Sequence, residues 1–211
     1  MPHTLHGVGH TLAWEVTEHT KTRLVLAADY SGKHWPWRFH AEQRIQLEDA
    51  TLLVGLSVTN LGEQAMPVGA GYHPYLPVDD QTIITFGSEQ RWLTDAAGLP
   101  NGVVEDIASS PLVVYPHQAA QQDYIGYFSG WSRILELRTA CGCITVRGGA
   151  GLDHLIVFMP KSAPYLCIEP VSHVADAFNL SAQGMTNTGM AILAPNARFS
   201  RDIAIDWTPH G

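Results

Sequence analysis

A carboxylate and an imidazole lie four positions apart, as Glu169 and His173, directly after the apolar run Tyr165 to Ile168. The run predicts a strand that ends at Glu169. Pro170 follows the carboxylate, and a residue before proline is restricted to extended geometry. We therefore expect a stiffened backbone that holds the Glu169 carboxylate in one position.

A second segment, Val68 to Tyr75, has the same construction, because His73 is followed by Pro74. Its two glycines predict a bulge or a close approach of a ligand to the backbone. The ordinary pKa values of a glutamate and a histidine are ~4.3 and ~6.5, so the two groups can hold opposite protonation states near neutrality. Together, Glu169 and His73 predict a general base and a general acid.

Composition and charge narrow the class of protein. The 211 residues predict a single domain spanning 1–211, and the net charge of −8 with scattered Lys and Arg argues against nucleic-acid binding. No apolar run reaches the ~18 residues of a membrane span. The three cysteines, Cys141, Cys143 and Cys167, lack framework spacing and suit a reducing, cytoplasmic environment.

Turn residues recur about every ten positions, which is typical of an all-β sandwich or barrel. A loop is expected from Ser109 to Asp123, and Ala175 to Ala182 has room for a turn or two of helix. The predicted strands are residues 11–17, 22–28, 39–47, 51–59, 82–86, 90–94, 133–139, 143–147, 154–159, 165–168, 190–194 and 199–207.

Several motifs together resemble the aldose 1-epimerase (galactose mutarotase) family. The resemblance implies an antiparallel β super-sandwich that interconverts the α and β anomers of a hexose. It covers the chain from Leu5 to about Pro195 and is carried by Leu5-His6-Gly7 with Trp14 after it, Val58 to Gly62, Met66 to Tyr75, and Cys167 to His173 continuing to Asn179.

The resemblance also implies residue roles. His73 would donate a proton to the ring oxygen, and Glu169 would be the base on the anomeric hydroxyl. His6 and Asp123 would bind sugar hydroxyls, while His173 would either contact the sugar or support Glu169. The chemistry needs no metal or other cofactor, the partner is a monosaccharide, and a homodimer is left open. The aromatic residues available to cover a sugar face are Trp35, Trp37, Tyr75 and Trp131.

The segment before His6 departs from the family pattern. Family members carry an Asn-Arg pair before the His-Gly motif, whereas here five residues precede His6. We therefore expect an exposed sheet edge and a site without that arginine.

A hexose 6-phosphate epimerase would need an arginine cluster around the phosphate, for which Arg38, Arg44 and Arg91 are available. The remaining alternative is a non-catalytic carbohydrate-binding or sensor protein.

Overall fold

The computed structural model describes residues 6–108, 111–116 and 122–210. Within these ranges the chain forms antiparallel strands and the short helix α1 (Ala177–Ala182). The strands are β1 (Glu15–His19), β2 (Arg23–Tyr30), β3 (Phe39–Glu48), β4 (Thr51–Asn60), β5 (Met66–Val68), β6 (Tyr75–Pro77), β7 (Ile83–Phe86), β8 (Gln90–Thr94), β9 (Pro100–Asp106), β10 (Leu112–Val114), β11 (Tyr124–Ser129), β12 (Ile134–Arg138), β13 (Gly142–Gly148), β14 (His154–Met159), β15 (Tyr165–Val171), β16 (Ala191–Leu193) and β17 (Arg198–Pro209).

Two large sheets carry the architecture. A nine-stranded sheet has the order β1-β2-β3-β4-β17-β13-β12-β7-β10, and a six-stranded sheet has the order β6-β15-β14-β11-β8-β9. Strands β5 and β16 form a separate pair. Every strand pair is antiparallel, which confirms the predicted all-β class and antiparallel sandwich.

The main core lies between the two sheets and follows from alternation along the strands. In β12, Leu135 and Leu137 are fully buried while Ile134 is half exposed. Burying such a side chain contributes about 1.5–3 kcal/mol. The core side chains that are at most 1% exposed are Ile84, Leu135, Leu137 and Val146 from one sheet and Leu155, Val157, Leu166 and Ile168 from the other.

Strand β1 is one edge of the nine-stranded sheet, and all five of its residues are exposed. Val16 in β1 and Leu47 in β3 are 61% and 49% exposed.

Among the described residues, no helix has the length and apolarity that crossing a lipid bilayer would require.

Of the strands in the described ranges, five were not predicted from the sequence: β5, β6, β9, β10 and β11, of which β9 has seven residues and β11 has six. Part of the predicted loop from Ser109 to Asp123 forms β10, whereas residues 109–110 and 117–121 of that loop lie outside the described ranges. Strand β10 has three residues, too few to show a period of two, and exists by pairing with β7. The predicted helical turns are confirmed as α1.

Candidate active site

The register between β15 and the segment before β6 brings the two predicted catalytic residues together. Cross-strand pairs set this register on both sides: Tyr75 with Cys167, and Gly71 with Val171. His73 therefore falls opposite Glu169. Directly opposed residues have Cβ atoms about 4.5–5.5 Å apart. Residues 96 positions apart in the chain thus become neighbours through strand pairing.

The two side chains make a direct polar contact. His73 Nε2 lies 3.2 Å from Glu169 Oε1, and the side chains retain 27% and 11% of their accessible surface. Strand β15 continues past the predicted end at Glu169 to Val171. Pro170 remains in the strand because its carbonyl accepts a hydrogen bond from the amide of Tyr72. Both reactive groups are thus held by sheet backbone while keeping access to solvent.

Burial dominates the electrostatics of Glu169. It raises the pKa of this carboxyl to about 7, because removing water disfavours the charged form. A protonated His73 at 3.2 Å opposes this shift by favouring the carboxylate. Burial and then the Glu169 charge raise the pKa of the Cys167 thiol to about 11. Burial, followed by the charges of Glu169 and Asp95, raises the pKa of Tyr127 to about 12. Cys167 and Tyr127 are therefore neutral near pH 7.

His6 lies against the catalytic pair in a strained backbone conformation. Its φ of 59° places a non-glycine residue in the left-handed region, and Gly7 continues there at 60°. Such a residue costs on the order of 1–3 kcal/mol and is typical of functional sites. The His6 ring is 5.1 Å from that of His73 and 5.6 Å from that of His10. Desolvation, and then the charges of His73 and His10, lower the pKa of His6, which favours a neutral imidazole.

Ser172 orients the imidazole of His173, and burial keeps that imidazole neutral. The amide of Ala70 donates to Ser172 Oγ at 3.0 Å, and this oxygen lies 3.1 Å from His173 Nδ1. Burial and then His154 lower the pKa of His173 to about 4. The side chain is therefore a neutral imidazole fixed to the backbone of the opposed segment through Ser172.

The glycines before His73 make room for side chains from the end of β15 and the segment directly after it, rather than for a bulge. A Cβ on Gly69 would overlap the imidazole of His173, and one on Gly71 would overlap Val171. In this antiparallel register the side chains of His173 and Val171 lie over Gly69 and Gly71. His73 is the next residue on the same face of the segment, and it is the first of the three with a side chain of its own.

We expect Gly69→Ala to lower the free energy of unfolding by about 1–3 kcal/mol, the usual cost of overpacking a filled site. Gly55→Ala is the matched control, because nothing lies within 4 Å of a Cβ at that strand glycine. It should be neutral or slightly stabilising. Urea unfolding of the two variants measures the difference. Equal stabilities would contradict the close packing of His173 on Gly69.

Aromatic rings flank the acid–base pair. Tyr75, 63% exposed, stacks on His73 with ring centroids 4.8 Å apart, and Tyr165 is 5.2 Å beyond it. On the His173 side, Phe178 stacks on that imidazole at 6.3 Å. The same Phe178 stacks on Trp35 at 5.4 Å, and Trp35 contacts Trp37 at 4.9 Å.

Trp131 does not belong to this aromatic group. It is 3% exposed, and its indole N–H donates to the carbonyl of Leu152 in the core. Phe178 had no role in the sequence prediction. It lies on the short helix after the His173 motif, and only its contact with Trp35 across the fold reveals it.

Asp123 is not brought to the catalytic pair. Its exposed carboxylate accepts a hydrogen bond from the amide of Lys161 at 2.7 Å. On β14, Ile156 pairs with Glu169 of β15 on one side and with Tyr127 of β11 on the other. Tyr127 is therefore the residue of β11 at the same height in the sheet as Glu169. Four residues of extended chain, from Asp123 to Tyr127, span about 13 Å. Its role in sugar binding stays a prediction.

The two-sheet antiparallel architecture places the protein in the galactose mutarotase-like fold class. A galactose mutarotase-like protein from Clostridium acetobutylicum has a TM-score of 0.79 with 18% identity, covering 97% of this chain and 69% of that one. The crystal structure of a candidate aldose 1-epimerase from Escherichia coli K12 has a TM-score of 0.83 with 22% identity, covering 97% and 72%.

The family assignment follows from the sequence comparison. The chain matches the aldose 1-epimerase family model over residues 1–205 and belongs to that family. A curated relative is the uncharacterized protein YphB of Escherichia coli K12. It is 27% identical over 216 residues, covering 97% of this chain and 72% of YphB.

Proposed function

We propose that this protein is an aldose 1-epimerase that interconverts the α and β anomers of an unphosphorylated hexose, with Glu169 and His73 as its acid–base pair. The observation that carries the proposal is the 3.2 Å contact between Glu169 Oε1 and His73 Nε2 in a partly open, aromatic-flanked position. Membership of the aldose 1-epimerase family supports the same reaction.

The reaction needs two proton transfers on one carbon centre. Glu169 takes the proton of the C1 hydroxyl while protonated His73 gives a proton to the ring oxygen, and the C1–O5 bond breaks. Rotation about C1–C2 exposes the other face of the aldehyde, and ring closure reverses both transfers. The two oxygens are bonded to the same carbon, so base and acid must lie close together. The direct contact of the two side chains meets this requirement.

The neighbouring groups suit recognition of a neutral sugar. The neutral imidazoles of His6 and His173 can pair with hydroxyls, while Tyr75 presents an exposed ring beside His73 to cover C–H faces. These assignments extend the proposal to binding. Substitution of His6 or His173 should therefore raise KM more than it lowers kcat.

Two of the three arginines named for a phosphate site, Arg44 and Arg91, are paired with carboxylates on different sheets, while Arg38 is exposed. Arg44 lies on β3 and pairs with Glu42, whereas Arg91 lies on β8 in the other sheet and pairs with Glu105. An arginine cluster that could clamp a phosphate needs unpaired guanidinium groups close together. This arrangement favours the unphosphorylated sugar over a hexose 6-phosphate.

Polarimetry of freshly dissolved α-galactose and α-glucose tests the function directly. The protein should speed the approach to anomeric equilibrium well above the buffer rate, and galactose 6-phosphate and glucose 6-phosphate should be poorer substrates. A sugar that binds, as shown by calorimetry, without any acceleration would instead identify a non-catalytic binding protein.

The pH profile provides an independent prediction. Because burial raises the pKa of Glu169 to about 7, the base becomes protonated as pH falls through neutrality. We expect kcat/KM to fall on the acid side with a midpoint near pH 7, well above the ~4.3 of an ordinary glutamate. Stopped polarimetry from pH 5 to 9, corrected for the buffer rate, measures this. A flat profile down to pH 5 would remove Glu169 as the base.

A further inference from the structure

The strand that carries the base also presents a thiol to the same position. Cys167 and Glu169 are two residues apart on β15, so their side chains lie on one face of the sheet. His73 reaches the same place from the opposed segment. One ligand atom from each of these three residues lies within 4.8 Å of the others.

We propose that His73, Cys167 and Glu169 form a binding site for one divalent cation of the Zn²⁺ type, and that the bound ion inhibits the enzyme. The ion would occupy the acid and the base at once, leaving neither free for proton transfer. The inhibition rests on the proposed function, whereas the binding does not.

The distances fit such an ion after a small movement. Zinc binds nitrogen and oxygen at about 2.0–2.2 Å and sulfur at about 2.3 Å in a tetrahedral arrangement, which sets ligand atoms about 3.3–3.6 Å apart. His73 Nε2 and Glu169 Oε1 already lie 3.2 Å apart. The largest separation in the group, 4.8 Å or less, must close by about 1 Å, which lies within the range of a side-chain rotation.

The donor set selects the metal. Thiolate and imidazole favour zinc, cobalt and similar ions, while Mg²⁺ and Ca²⁺ prefer oxygen donors alone. Three protein ligands leave a fourth position for water or a sugar oxygen. Binding displaces to solvent the proton of the Cys167 thiol and the proton carried by the His73–Glu169 pair, and it involves no change of oxidation state. The sequence alone indicated no such site, because its three donors come from two segments distant in the chain.

Cobalt titration of a single-cysteine protein tests the binding. The sequence holds three cysteines, so Cys141→Ser with Cys143→Ser leaves Cys167 alone. Both removed residues lie at the turn into β13 and its first positions, outside the site. Adding Co²⁺ should produce a thiolate-to-cobalt absorption band in the near ultraviolet at one equivalent. Absence of this band, or cobalt binding without it, would overturn the proposal.

A second experiment measures inhibition of mutarotation by Zn²⁺. It compares the Cys141→Ser, Cys143→Ser protein with the same protein that also carries Cys167→Ser. Loss of even an outer-shell partner typically weakens metal binding ~10–100-fold, so loss of the thiolate should raise the inhibitory Zn²⁺ concentration at least about tenfold. The zinc sensitivity of each variant is expressed relative to its own rate in the presence of a chelator. Unchanged zinc sensitivity would contradict the role of Cys167.

Two further measurements guard against ambiguous results. Cys167 is fully buried, so Cys167→Ala is made alongside the serine variant, and thermal unfolding identifies any variant that does not fold. If the parent protein proves inactive on sugars, the cobalt band still tests the metal site. A band without mutarotation would separate failure of the proposed function from failure of this inference.

Discussion

Glu169→Gln is expected to lower kcat for mutarotation by about 10²–10⁴-fold, the usual contribution of a positioned general base. The amide nearly matches the carboxylate in size and can accept a hydrogen bond from His73, but it cannot take the proton of the C1 hydroxyl. Polarimetry on α-galactose, with sugar affinity measured by calorimetry, separates the loss of turnover from a loss of binding.

His73→Asn should produce a loss of similar size, because the ring oxygen would then leave without an acid. The double variant should be little worse than either single one, since the two groups act on one step.

Glu105→Gln is the matched control for Glu169→Gln: this glutamate is 45% exposed and paired with Arg91 on another strand. Full activity in Glu169→Gln, or an equal loss in Glu105→Gln, would remove Glu169 from the mechanism.

The same Glu169→Gln substitution should stabilise the protein at pH 8. The folded-state pKa of Glu169 is raised from 4.5 to about 7, so the folded protein disfavours the ionised carboxylate. The associated stability is fully present below pH ~4.5 and is lost as pH rises through about 7. A shift of this size corresponds to about 3 kcal/mol, and attraction to His73 reduces it. We expect a gain of about 1–3 kcal/mol at pH 8.

The pH dependence of that gain is the decisive feature. At pH 4.5 the parent carboxyl is neutral in the folded protein and half ionised in the unfolded chain, so the difference from the glutamine variant should shrink to about a few tenths of a kcal/mol. Denaturant unfolding at pH 4.5 and pH 8, again with Glu105→Gln beside it, measures the difference. A gain of the same size at both pH values would show that packing, rather than the buried charge, separates the variants.

Opposite results in activity and stability from a single substitution would support a catalytic site. A surface glutamate that merely marks the end of a strand would change neither property when replaced by glutamine. A base held in a poorly solvated position costs stability while it is ionised, and it performs its function in that ionised form. The proposed function and the pH-dependent stability therefore depend on the same burial of Glu169.

Much of the fold could be predicted from local pattern. Alternating apolar residues predicted most long strands, such as Phe39 to Leu47 within β3, since a strand with one buried face must show a period of two. The strands that escaped prediction are the short β5, β6 and β10 and the longer β9 and β11. Strand β10 has three residues and forms one edge of the nine-stranded sheet, and its pairing with β7 determines its existence, which no local pattern encodes.

In the site, too, some features could be predicted from local sequence and others depend on contacts between distant segments. Local motifs identified His73 and Glu169, and the structure brings these two side chains into contact. Asp123 was named from a motif with weak local context, and the structure places it at another part of the sheet. Gly69 and Gly71 were interpreted from their own strand alone. The side chains that pack on them, His173 and Val171, come from the end of β15 and the residues directly after it, about a hundred residues later in the chain.

By itself the sequence determined the extended backbone around each proline and the alternation of the strands, and it named Glu169 and His73 as the candidate base and acid. These features depend on steric and hydrophobic effects between residues close in the chain. Only the tertiary structure decided that His73 lies opposite Glu169, that Cys167 joins them, and that burial moves the carboxyl pKa towards neutrality. Strand register and desolvation result from packing between distant segments, and local sequence does not contain that information.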